Sequence, residues 1–256
     1  MTSKQYMKVT TGSRNIVNNK NSGFPPFAGN DGELLHMKKK LKVSEFFYSI
    51  QGEGSTAGTP SVFLRLSGCN LDCSFCDAKH LWSKGKDSSF NQVIEEWQKN
   101  GWLENLKSGA HLILTGGEPL LQQPALFLFI KHLDKLLNLQ PYIEVETNAT
   151  ILFDNDFLNR INQINASPKQ VKHKVLSQLT KSTKTKFKFV INQPQNIEAV
   201  LNNYVLPFNI KRRNVWLMPE GKTKTAIQKK SPMIIELCKK QLMNFSPRLQ
   251  IQLGVR

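Results

Sequence analysis

Three of the four cysteines, Cys69, Cys73 and Cys76, fall within the single segment GCNLDCSFCDAKHLW, Gly68 to Trp82. Thiolates at this CxxxCxxC spacing on one loop can all face one centre, and soft sulfur donors select zinc, copper(I) or iron–sulfur clusters. Three is the wrong number for paired disulfides and one short of tetrahedral zinc, unless His80 supplies a fourth ligand. An iron–sulfur cubane held by three cysteines leaves one iron open to an outside ligand, which turns an electron-transfer group into a reaction centre. Cys238 stands apart in the apolar, helix-like run IIELCKKQL and reads as a buried structural thiol.

Other segments carry chemistry of their own. In TGGEP (115–119) two glycines let backbone approach a ligand closely, and Glu118 offers a carboxylate to an ammonium. An ordinary strand-to-helix turn with proline at its first helical position is the plainer reading. QGEG (51–54) repeats the pattern of glycines around an acid, Glu53, and is also readable as a simple turn. Arg65 interrupts the apolar run VFLRLSG; facing inward it needs a partner, and a substrate carboxylate is one it can grip bidentately. Lys169, in SPK (167–169), faces either a ligand oxygen or solvent.

Elements must place these residues. Strand-like runs at 61–68, 111–117, 142–148, 161–168, 186–191 and 214–220 alternate with helix-like segments, and PRLQIQLGV (247–255) is expected to add a last strand. The expected helices are FNQVIEEWQKN, PALFLFIKHLDKLL, IEAVLNNYV and SPMIIELCKKQL. Alternation of this kind predicts an α/β fold with mainly parallel strands, open or curled toward a barrel, whose ligands gather at the carboxyl ends of the strands. Cys69, Gly116–Pro119, Thr147–Asn148, Ser167–Lys169 and Pro219–Gly221 all follow such ends. Residues 1–42, rich in Asn, Lys, Ser and Gly, are expected to be a flexible basic extension of a single domain over 43–256.

The chain's 256 residues carry a formal charge of +16 and a mean hydropathy of −0.37. The charge is uneven: +6 over residues 1–42, −6 over 43–156 and +16 over 157–256. The cysteine-bearing half is thus acidic, and lysines such as Lys229, Lys230, Lys239 and Lys240 fall in a helix-like segment with a solvated face, so nucleic-acid binding is not the expected function. No apolar run is long enough to span a bilayer, the first residues lack the apolar core of a secretory signal, and sparse cysteines fit a reducing cytoplasm.

The cysteine spacing after the first strand of an α/β domain resembles the radical S-adenosylmethionine superfamily, and GGEP resembles its methionyl-amine element. The order of FYSIQGEG, FLRLSGC, CDAKHLW, TGGEPLLQ, ETNAT, SPK, KFVI and LMPEGKT, over residues 43–256, resembles more narrowly the 7-carboxy-7-deazaguanine synthases. That resemblance implies a partial (β/α) barrel, a [4Fe-4S] cluster and S-adenosylmethionine. The implied reaction is ring contraction of 6-carboxy-5,6,7,8-tetrahydropterin with loss of ammonia. It also implies a homodimer and a one-electron reductant such as a flavodoxin. Phe75, Cys76, Asp77, Gly117, Glu118, Ser167, Pro168, Lys169, Met218, Pro219, Glu220 and Gly221 would contact S-adenosylmethionine. Ile50, Gln51, Gly52, Glu53, Arg65 and Thr115 would contact the pterin. The family's magnesium-ligating hydroxyl falls at Ala78, which has no ligand atom, so magnesium stands in doubt. The rivals are a glycyl-radical activating enzyme, which shares CxxxCxxC, and a zinc-bound basic nucleic-acid module.

Overall fold

The computed structural model describes residues 39–256 apart from Phe75 and Asp77. Nine strands form one sheet in the order β3-β1-β2-β4-β5-β6-β7-β8-β9. The strands are β1 Lys40–Ile50, β2 Pro60–Leu66, β3 Lys86–Ser89, β4 His111–Gly116, β5 Ile143–Thr147, β6 Gln163–Ala166, β7 Thr185–Ile191, β8 Val215–Pro219 and β9 Asn244–Phe245. From β2 to β9 all pairings are parallel; β1 runs antiparallel to both β2 and β3. The α-helices of the described residues are α1 Lys79–Trp82, α2 Phe90–Lys99, α3 Trp102–Lys107, α4 Gln123–Leu137, α5 Asn155–Arg160, α6 His173–Lys181, α7 Asn196–Val200, α8 Lys224–Gln241 and α9 Leu249–Leu253.

Alternation along the strands divides the sheet's two faces. Leu64 and Leu66 of β2, Leu112 and Leu114 of β4 and Val145 of β5 are fully buried in the apolar core with Trp97 of α2 and Leu126, Phe129 and Leu133 of α4. The intervening residues form a separate polar system: Glu144 and Glu146 of β5, Gln163 and Asn165 of β6 and Lys188 of β7 bond to one another. Local signals set the helix ends. Ser89 and Gln92 form a reciprocal capping box at the start of α2, and Asp154 accepts the amide hydrogens of Asp156 and Phe157 to open α5.

Two expectations are corrected. The domain begins before residue 43: Lys40–Val43 pair with β3, and Leu41 is buried. The remainder of the expected extension, residues 1–38, lies outside the described residues. PRLQIQLGV is not a strand. The sheet ends at the two-residue β9, Pro247 has no N–H for a further ladder, and the chain turns into α9. There the Leu249 amide donates to the Gly52 carbonyl at 2.9 Å. IEAVLNNYV is helical as α7, then widens into a π-turn at Leu201–Val205.

Candidate active site

At the carboxyl ends of the parallel strands lie two joined cavities. The smaller, about 240 Å³, is walled by Cys69, Cys73 and Cys76 with Gly117, Ser167, Lys169, Met218, Glu220 and Gly221. The larger, about 600 Å³, is walled by Ile50, Gln51, Gly52, Glu53, Arg65, Thr115 and Ala78. Cys76, Gly117, Ser167 and Lys169 belong to both walls, so the thiol lobe opens into the other.

The cysteine loop is held at its ends and middle. Gly68 N donates to Trp82 O at 3.0 Å, closing the loop at its base. Asn148, just after β5, donates to Asn70 Oδ1 at 2.9 Å and touches Cys69 Sγ at 3.9 Å, while Asn70 donates to Thr150 Oγ1 at 2.8 Å. The glycines of GGEP serve the same packing. A Cβ on Gly117 would lie 2.2 Å from Gly68 O and 2.7 Å from Cys69 Cβ. One on Gly116, whose φ is +152°, would lie 2.3 Å from Leu66 O. Without the glycines the second strand end could not lie against the cysteine loop.

The donor set fits an iron–sulfur group. Three soft thiols share one wall, and burial pushes both Cys69 and Cys73 above the usual thiol range, so binding metal is what would draw off their protons. His80, the fourth ligand that zinc would need, is exposed on α1 and is not on either cavity wall.

Several expected residues stand elsewhere. Glu118 is off the wall, against the expectation that its carboxylate meets an ammonium. It is fully buried and accepts from Leu120 N at 3.0 Å, Asn148 N at 2.7 Å and Thr147 Oγ1 at 3.0 Å. Burial pushes its carboxyl up to about 7 against those donors. It staples the GGEP turn to the end of β5. Pro168 and Pro219 are buried behind the wall. Phe75 and Asp77 lie outside the described residues. Arg65 lines the larger lobe, but its Nε is engaged with Glu45 Oε1 at 2.8 Å, and Arg256 takes the other Glu45 oxygen at 2.7 Å. Burial opposes that carboxylate's charge, yet the two arginines hold it below its ordinary range.

Glu53 of QGEG anchors a buried cluster that the sequence reading missed. Lys188 Nζ bridges Glu53 Oε2 at 2.7 Å and Glu146 Oε2 at 2.9 Å. Arg248 Nε at 3.2 Å and Gln250 Nε2 at 2.7 Å complete the shell of Glu53. Burial works against the Glu53 charge, but Lys188 and Arg248 outweigh it and hold the carboxyl at about 2. Burial is the first influence on Glu146 and raises it, Lys188 notwithstanding. Lys188 stays protonated because the two carboxylates more than offset its burial. Arg248 and Gln250 went unrecognised because their segment read as a strand; Lys188 was one lysine among many, and only the alternation KFKF marked it.

Comparison with known proteins agrees with this geometry. The family model described as a 4Fe-4S single cluster domain matches residues 50–193. The chain is 33% identical over 245 residues to the 7-carboxy-7-deazaguanine synthase of Halobacterium salinarum, covering 83% of this chain and 90% of that one. It is 33% identical over 227 residues to the synthase of Hyperthermus butylicus, covering 82% and 92%. The fold is similar to that of QueE from Escherichia coli, with a TM-score of 0.62 and 22% identity over 85% of this chain and 98% of the other. With the three-cysteine loop, the two-lobed cavity and these relatives in agreement, the chain belongs to the 7-carboxy-7-deazaguanine synthase family.

Proposed function

We propose that the thiol lobe binds S-adenosylmethionine at an iron–sulfur cluster, and that the adjoining lobe binds 6-carboxy-5,6,7,8-tetrahydropterin for ring contraction to 7-carboxy-7-deazaguanine with loss of ammonia. The single observation that carries this reading is the shared wall: Cys76, Gly117, Ser167 and Lys169 face both lobes. When bound, the cluster and its cofactor supply a radical generated by one-electron cleavage of the sulfonium. The chain's part is to place the reacting carbon beside that source and keep water out. Backbone at Gly116–Gly117 allows close approach, Ser167 and Lys169 present polar groups joined at 3.0 Å, and Glu53 holds the QGEG turn on the floor of the larger lobe.

Anaerobic reconstitution with iron and sulfide tests the cluster: about four irons per chain are expected, with loss in Cys69→Ala, Cys73→Ala and Cys76→Ala. Stoichiometric zinc without iron would contradict it. Magnesium has no side-chain ligand at Ala78, which lines the larger lobe. Ala78→Thr therefore introduces a hydroxyl there, and turnover measured with and without magnesium is expected to become more magnesium-dependent. An unchanged dependence would place any metal elsewhere. A homodimer, a one-electron reductant and residence in the cytoplasm complete the reading. Among the described residues no helix is long and apolar enough to cross a membrane.

A further inference from the structure

The wall of the larger lobe carries more cations than acids, and most of those cations are engaged. Among the described residues its acids are Glu53 and Glu146, and both are bound to Lys188. Arg65 and Arg256 share Glu45, and Arg248 donates to Glu53 and to the Gly221 carbonyl. Lys169 donates to Ser167 Oγ at 3.0 Å. Lys222 differs: it lines both lobes, yet among the described residues its ammonium makes no hydrogen bond and no ion pair. The acid closest to it in the chain, Glu220, is paired with Lys230.

The backbone fixes where that ammonium is carried. Glu220 N donates to Ile191 O at 2.9 Å, tying the end of β8 to the end of β7. Arg248, itself buried, holds the Gly221 carbonyl, and Thr223 accepts from Ala226 N at 3.2 Å as the N-cap of α8. Lys222 thus lies between two anchored neighbours, with its exposed side chain at the seam of the two lobes. A magnesium ion does not fit as the source of positive charge in the larger lobe. Such an ion takes oxygen ligands, whereas Ala78 presents a methyl and both acids of the wall are bound to Lys188.

We infer that Lys222 is a substrate-binding residue whose ammonium pairs with the carboxylate of the pterin, so that a side chain supplies the positive charge in place of a metal ion. The inference rests on the assignment of the two lobes proposed above. Of the two ligands, the pterin suits this cation better. S-adenosylmethionine sets a sulfonium and an ammonium against one carboxylate and is net positive, whereas the pterin is net negative through its carboxylate. A cation at the seam attracts the anionic ligand and gains little from one that is already net positive. The flexible stem of a lysine at the mouth lets its ammonium meet the carboxylate as the pterin enters.

The test measures binding, by anaerobic calorimetry on reconstituted enzyme with S-adenosylmethionine present and no reductant. The probes are 6-carboxy-5,6,7,8-tetrahydropterin and 5,6,7,8-tetrahydropterin, which lacks the carboxylate. Lys222→Gln is expected to raise the Kd of the carboxylated pterin by about tenfold and to leave that of tetrahydropterin within about twofold of wild type. Lys222→Arg, which keeps the charge, should hold the carboxylated Kd within about threefold of wild type. Lys224→Gln removes a neighbouring cation that is on neither wall, and should bind both pterins as wild type does. Magnesium should shift the wild-type Kd by less than about twofold. An unchanged Kd in Lys222→Gln, an equal loss for both pterins, or a loss for S-adenosylmethionine instead of the pterin overturns the role of Lys222. So does a wild-type Kd that magnesium lowers by about tenfold. Wild type that binds neither pterin overturns the reading of the larger lobe itself, and the role of Lys222 with it.

Discussion

At the scale of residues, two carboxylates, the buried Glu118 and the half-buried Glu53, hold the walls of the site. Glu118 ties GGEP to β5, and Glu53 ties QGEG to β7 and the 248–250 segment through Lys188, Arg248 and Gln250. Removing Lys188 leaves Glu53 and Glu146 facing each other without the cation between them. Lys188→Met is expected to lower the unfolding free energy at pH 7 by about 3–5 kcal/mol, measured by urea denaturation. The pH dependence has a definite sign. Glu53 is held at about 2, below its ordinary 4.5, so its contribution is complete above about 4.5 and fades as pH falls toward 2. The gap between wild type and Lys188→Met should therefore narrow over that window; a gap that widens on acidification would contradict this account. The cysteines were legible in the sequence because their chemistry lies in their type and spacing. Lys188 was not, because only the alternation KFKF separates it from the many lysines of its half of the chain.

At the scale of elements, the parallel strands were legible because each is a short apolar or alternating run bounded by turn residues. β1 and β3 were not. KLKVSEFFYSI mixes charges into its alternation, and KDSS has no apolar residue at all; pairing across the antiparallel edge is what makes them strands. The segment 249–253 misled because LQIQL alternates like a strand, yet it forms a helix whose first amide donates to the Gly52 carbonyl. GGEP was read as backbone giving room to a ligand, and the structure adds a nearer demand, the contact between Gly117 and the cysteine loop. Gly117→Ala is expected to displace that loop. Iron content after reconstitution should fall severalfold, while far-ultraviolet circular dichroism stays near wild type. Full iron loading of Gly117→Ala would show that the contact is not needed.

At the scale of the whole molecule, one curled sheet gathers loops from β1, β2, β4, β6 and β8 around joined lobes, and separates an apolar outer packing from a polar interior. The order of motifs made that arrangement readable in outline, since each follows a strand end. The polar interior was unreadable, because it depends on which strands become neighbours. The most direct measurement is turnover of 6-carboxy-5,6,7,8-tetrahydropterin by reconstituted enzyme with S-adenosylmethionine and dithionite, with products followed by mass spectrometry. The account predicts 7-carboxy-7-deazaguanine from wild type and none from Cys76→Ala. Formation of 5′-deoxyadenosine by wild type with no deazapurine would contradict it.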